Sequence, residues 1–133
     1  MLTHLSDLIV AANVGIMLFF SVAVAPTIFA VLPQEWASAY VRSFFPKYYL
    51  FLGLTTAVAA AAALSATPSM RIGLAVCAFL FFFSRFWLTP RVNRARDEKQ
   101  AQTFKTLHFL SVALNMLQLV FFVWVLVISV RAA

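Results

Sequence analysis

The chain reads as an all-α integral membrane protein, an antiparallel bundle of four transmembrane helices, and three observations predict this. Of its 133 residues, 64% are hydrophobic and 11% charged, where a soluble domain is roughly half apolar and a quarter charged. Mean hydropathy is +0.96. Apolar runs at about 5–32, 48–67, 70–88 and 104–131 approach or exceed the roughly 20 residues that span a bilayer, and apart from Asp7, Arg71, Arg85, Lys105 and Arg131 near their ends the charge lies between them. Residues 1–133 are read as one four-span domain.

The first run, LSDLIVAANVGIMLFFSVAVAPTIFAVL, has no basic segment before it, and Pro26 follows its only cleavage-like Ala-Val-Ala. It is therefore read as a span and not as a leader. Pro26 predicts a kink or an end near Ala25. Ser6, Asn13 and Phe20 fall at heptad spacing and give this helix one mildly polar side, with Asn13 expected to bond a neighbouring helix.

The connector 33–46, PQEWASAYVRSFFP, predicts a short amphipathic helix at the interface, because Trp36, Ala39, Tyr40 and Phe44 share a side. The second run is nearly all small from Ala57 to Ala63, a face that lets helix backbones approach closely. Thr67-Pro68-Ser69 is a turn and helix-start signal for the third run, which closes on the bulky FLFFFSRFWL. Residues 89–103, TPRVNRARDEKQAQT, are the only strongly charged segment and are read as a connector. The lone cysteine, Cys77, excludes an intrachain disulfide and is read as a small packing residue.

The fourth run carries the clearest functional signal. His108, Ser111, Asn115 and Gln118 are spaced 3, 4 and 3 apart, on one side of a helix, with Phe104 one turn earlier on the same side. A polar stripe on a membrane helix is expected to face protein or internal water.

Charge sets the expected orientation. Both long connectors lie on one side of an up-down bundle, and that side, helix ends included, carries Arg42, Lys47, Arg85, Arg91, Arg94, Arg96, Lys99 and Lys105. These are eight of the ten basic residues, leaving Arg71 and Arg131 for the other side. The positive-inside rule then makes the connectors cytoplasmic and both termini periplasmic, in a bacterial inner membrane. The net charge of +6 belongs to these flanks, so nucleic acid is excluded as a partner.

Three segments converge at the cytoplasmic end: FFPKYY opening the second helix, RFWLTPRVNRARD leaving the third, and FKTLHFLSVALN in the fourth. Together they resemble the transmembrane protein 205-like family, through Phe45, Pro46, Tyr48, Pro90, Arg91, His108, Ser111 and Asn115. The resemblance covers nearly the whole chain. It implies a small four-span membrane protein, whose bacterial members carry a domain of unknown function, and it implies no chemistry. A more distant likeness, of architecture alone, is to four-span membrane proteins that place histidines at bundle ends, among them a bacterial protoporphyrinogen oxidase.

The candidate pocket is His108, Ser111, Asn115, Tyr48, Arg85, Arg91, Asn93 and Arg94. His108 is read as a neutral residue locking helices together, or else as a haem or metal ligand with the arginines holding propionates. Arg85 either snorkels to the headgroups or turns inward to hold an anion. No nucleophile–base pair, carboxylate pair, phosphate loop or Cys/His metal spacing occurs, so no catalytic residue is named and enzymatic activity is not expected. Three functions stay open: a non-enzymatic binding or accessory bundle centred on His108, a haem- or porphyrin-linked redox protein, and an oligomeric transporter of metal or small solutes. The expected partners are the lipid bilayer and either further copies of the chain or a larger membrane complex.

Overall fold

The computed structural model describes residues 2–63 and 66–132, and they form four long helical rods. The first rod is α1 (Leu2–Phe19), a π turn at Phe20–Val24, and α2 (Ala25–Val31). Pro26 thus neither ends nor breaks the run. A proline in a helix has no N–H to give, and its ring crowds the carbonyl four residues back. The preceding turn widens instead, with the Ala25 N–H bonding the Phe20 carbonyl five residues back.

The same device recurs in the third rod. It is built of α4 (Pro68–Phe83), a π turn at Ser84–Leu88, and α5 (Thr89–Asp97). Here the Thr89 N–H reaches back to the Ser84 carbonyl, one residue before Pro90. The rod starts as the sequence predicts: Thr67 Oγ1 accepts from the Met70 N–H at 3.4 Å, and Pro68 holds the first turn, where no donor is missed.

Two expectations are corrected. The first connector is not a separate interfacial helix, because α3 (Gln34–Ala62) runs unbroken through Pro46. An aromatic staircase at one-turn spacing carries it across. Tyr40 stacks on Phe44, Phe44 packs against Tyr48, and Phe45 stacks on Tyr49, with ring centroids 5.7–5.8 Å apart. The latter two pairs straddle Pro46, so side-chain packing offsets the bond that proline removes. The second run is predicted to reach 67, but the helix ends at Ala62 and Thr67 already caps the next one, while residues 64 and 65 lie outside the described residues.

The charged segment 89–103 is likewise not a loop. It is helical to Asp97, turns at 98–100, and continues as α6 (Ala101–Ala132). The turn is a helix stop in which the Gln100 N–H bonds the Ala95 carbonyl at 2.9 Å and the Lys99 N–H bonds that of Arg96 at 3.2 Å. Lys99 sits in the left-handed region, φ 56°, where glycine is the usual occupant.

Three helices are long and apolar enough to cross a membrane: His4–Val31, Pro68–Asp97 and Ala101–Arg131. α3 is a further long helix, with Pro46, Lys47 and two tyrosines inside it. Exposure follows the logic of a membrane protein. Phe19, Val22, Phe79, Phe109, Leu117 and Val120 face outward, while Ser6, Asn13, Thr56, Ser84 and Gln118 are buried.

Several polar groups find partners across rods, while Gln118 Oε1 has none among the described residues. Asn13 Nδ2 donates to Thr56 Oγ1, and Thr55 Oγ1 donates to Asn13 Oδ1, both at 3.1 Å. Gln118 Nε2 donates to the Cys77 carbonyl at 3.0 Å, and Ser129 donates to Asp7 at 2.9 Å. These bonds fix the register between α1, α3, α4 and α6, each adding about 0.6 kcal/mol in a membrane setting. Ser6, Asn13 and Phe20 are all buried, as their spacing predicts, and so is Cys77. Gly73 lets α4 approach α6, since a Cβ there would fall on the Phe121 ring.

Candidate functional site

At the end of the bundle that carries most of the charge, the four rods enclose a cavity of about 330 Å³. Its walls follow from the two π turns. Phe20, Ser21, Ala25 and Phe29 line it from the widened end of the first rod. Thr89, Val92, Asn93 and Arg96 line it from the helix that follows the second π turn. The spacing 89, 92, 93, 96 is one face of α5, so the widened turn and Pro90 set which side chains look inward. π turns occur often where a helix is re-aimed toward a functional site.

Phe20, the first residue of its π turn, is the hub of the inner end. Its ring centre lies 4.9 Å from that of Phe44, 5.4 Å from Phe45 and 5.2 Å from Tyr48. α3 supplies Val41, Arg42, Phe45, Tyr48 and Tyr49. α6 supplies His108, Ser111, Val112, Asn115 and Met116. The two tyrosines are tied to the last helix: the Tyr48 hydroxyl donates to Asn115 Oδ1 at 3.2 Å, and Tyr49 Oη lies 3.4 Å from Ser111 Oγ. The polar stripe of α6 therefore meets protein at Ser111 and Asn115.

The structure brings five of the eight candidate residues together on this cavity: Tyr48, Asn93, His108, Ser111 and Asn115. His108 is at the mouth and exposed. Its ring stacks on Phe104, with centres 5.6 Å apart and planes 7° apart, and Tyr48 bonds Asn115 rather than His108. Gln118, the last member of the stripe, lies deeper and does not line the cavity.

Arg85, Arg91 and Arg94 lie elsewhere. Arg85 sits over the Phe86 ring at 5.0 Å, and Arg91 over the Trp87 ring at 4.2 Å. Arg94 is exposed. Because 89–97 is helix, residues 91 and 94 fall off the face that carries 89, 92, 93 and 96. The arginines that reach the cavity are Arg42, expected to be a solvated connector charge, and Arg96, expected with Arg91 and Arg94 either to be solvated or to grip a phosphate, a propionate or an anionic headgroup. The signal that would have found Arg96 is the i, i+3, i+4, i+7 spacing from Thr89.

The two cavity arginines differ. Arg42 is neutralised by Asp97 through two parallel hydrogen bonds of 2.8 Å. Arg96 is half-buried, with its guanidinium 4.9 Å from the centre of the Phe104 ring. Its Nη1 is enclosed and has no hydrogen-bond partner among the described residues. The cavity is thus apolar over most of its wall, hydroxyl- and amide-lined along α3 and α6, and cationic at one edge.

Among the described residues, no group of three or more His, Cys, Asp or Glu side chains is placed to hold a metal ion. The cavity offers haem one imidazole, His108, and one thioether, Met116. They are eight residues apart on one helix, about 12 Å, too far to share one iron.

Neither a curated protein nor a solved structure matches the chain. Residues 8–101 match a family described as a domain of unknown function, DUF4149. That match takes in the first three rods, both π turns and the α5 wall of the cavity, and on it the chain belongs to the DUF4149 family.

Proposed function

We propose that the protein is a non-catalytic binding or accessory component of the bacterial inner membrane, and that the cavity between its rods holds a ligand. All four rods cross the bilayer in this reading. The outward face of α3 supports the fourth crossing, because Phe51, Leu54 and Val58 recur there at helical spacing and are each about half exposed, an arrangement suited to acyl chains. The resemblance to the transmembrane protein 205-like family points the same way. Both termini lie outside and the α3 start and α5–α6 turn lie in the cytoplasm, following the basic bias. The cavity then opens toward the cytoplasmic leaflet.

The observation that carries the reading is the composition of the cavity wall. Phe20, Ala25, Phe29, Phe45, Val112 and Met116 give it an apolar length, and Ser111, Asn115, Tyr48 and Asn93 give it a polar side. Ligand sites are typically of this kind, mostly apolar with a few placed polar groups. No nucleophile–base pair lies on the wall, so binding rather than turnover is the function it suits.

Native mass spectrometry of the protein released from lipid nanodiscs tests this. Wild type is expected to retain a small-molecule adduct. Ala25→Trp and Met116→Trp, which fill the cavity from opposite walls, are expected to lose it while remaining folded. Adducts retained equally by both variants, or absent from wild type after exposure to a cell lipid extract, would overturn the reading.

A further inference from the structure

We infer that the ligand is a single-chain amphiphile with an acidic headgroup, a phosphate or a carboxylate, and that Arg96 is the headgroup anchor. The inference rests on the cavity being a binding site and names what it selects.

The argument is one of charge and unmet hydrogen bonds. A guanidinium stays protonated at any physiological pH, so Arg96 carries its charge whether or not it has a partner. Its Nη1 is enclosed and unpartnered among the described residues, which costs free energy unless an acceptor arrives. The nearest carboxylate, Asp97, is engaged by Arg42 through both of its oxygens. Phe104 covers one part of the guanidinium and stacks on His108, so it holds both groups at the mouth without satisfying either as an acceptor would. An anion with oxygens to offer would satisfy this edge.

A free anion would leave the rest of the space unexplained. Phe29, Val112 and Met116 also line the cavity, and they offer no hydrogen bond to a hydrated ion and good contact to a hydrocarbon chain. A guanidinium fork and apolar side chains lining one cavity match an acidic head and its tail. The volume, about 330 Å³, suits one chain rather than a two-tailed lipid.

Photo-crosslinking in neutral phosphatidylcholine nanodiscs tests the inference, using a single-chain alkyl phosphate with a diazirine in its tail and the matched alkyl alcohol. Labelling of the peptide carrying Val112 and Met116 is read by mass spectrometry. The phosphate is expected to reach half-labelling at about 30-fold lower concentration than the alcohol, the size of one or two hydrogen bonds to a charged group. Arg96→Gln is expected to abolish that difference, and alcohol labelling that persists at the same peptide shows the cavity intact. Arg96→Lys is expected to restore part of it. Equal labelling by phosphate and alcohol, or a difference that survives in Arg96→Gln, overturns the headgroup assignment and leaves the cavity reading standing. No labelling of that peptide by either probe overturns the cavity reading itself. Inorganic phosphate that blocks labelling as tightly as the alkyl phosphate overturns the tail, since the chain would then add nothing.

Discussion

Arg42 and Asp97, 55 positions apart in the chain, are joined by two parallel hydrogen bonds of 2.8 Å at the rim of the cavity. The pair fastens the start of α3 to the end of α5. It also removes the one carboxylate beside Arg96 from competition for that guanidinium. Its side chains are 39% and 54% exposed, which limits what it adds to stability. A double-mutant cycle of Arg42→Gln and Asp97→Asn is expected to give a coupling of about 0.5–1 kcal/mol at low salt, in the range of exposed pairs. The coupling should shrink toward zero in 1 M salt, where screening is short-ranged. A coupling unchanged by salt would mean the pair is shielded from water.

Tyr48 and Asn115 form the corresponding tie deeper in the bundle. Tyr48→Phe keeps the ring against Phe20 and removes only the donor. In an SDS-titration assay it is expected to cost about 0.6 kcal/mol, the usual worth of such a bond in a membrane protein. Tyr48→Ala also removes the ring packing and is expected to cost several-fold more, about 3 kcal/mol or above. Equal losses would show that the hydroxyl, not the ring, matters.

Lys99 is a local misfit at the α5–α6 turn, because its left-handed backbone disfavours a Cβ. Lys99→Gly is expected to raise unfolding stability by about 1 kcal/mol without moving the neighbouring helices. A loss of stability would show that the lysine side chain makes a compensating contact.

Much of this architecture can be read in the residues. The three strongly apolar rods follow from run length, the buried face of the first from the Ser6–Asn13–Phe20 spacing, and the inward stripe of the last from Ser111 and Asn115. The missed features share one cause. Pro46, Pro90 and the charges around them look like breaks, so 33–46 is read as a separate interfacial helix and 89–103 as a connector without a face. In the fold, aromatic stacking carries α3 past Pro46, and a π turn lets the third rod pass Pro90. Once 89–97 is helix, Arg96 turns to the cavity, while Arg91 and Arg94 turn away. Arg85, which the sequence reading offers as an anion holder, sits over Phe86 instead, since the π turn sets its direction too. These compensations are local, but a proline beside charges reads as a break until the i, i+4 aromatic pairs and the i, i+3, i+4, i+7 face are traced through it.

Topology is tested by single cysteines in a variant with Cys77 replaced by serine. His4→Cys is expected to react with a membrane-impermeant maleimide added outside intact cells, and Glu98→Cys only after permeabilisation. The reverse pattern would invert the orientation and place the cavity mouth in the outer leaflet.

An experimental density map of the protein in a native lipid extract is the most direct measurement of all. The account predicts elongated non-protein density beside Phe29, Val112 and Met116, ending against Arg96, with Ser111 and Asn115 turned toward the tyrosines of α3. A map with the rods closed on one another there and no added density, or with Asn115 facing the lipid, would contradict it.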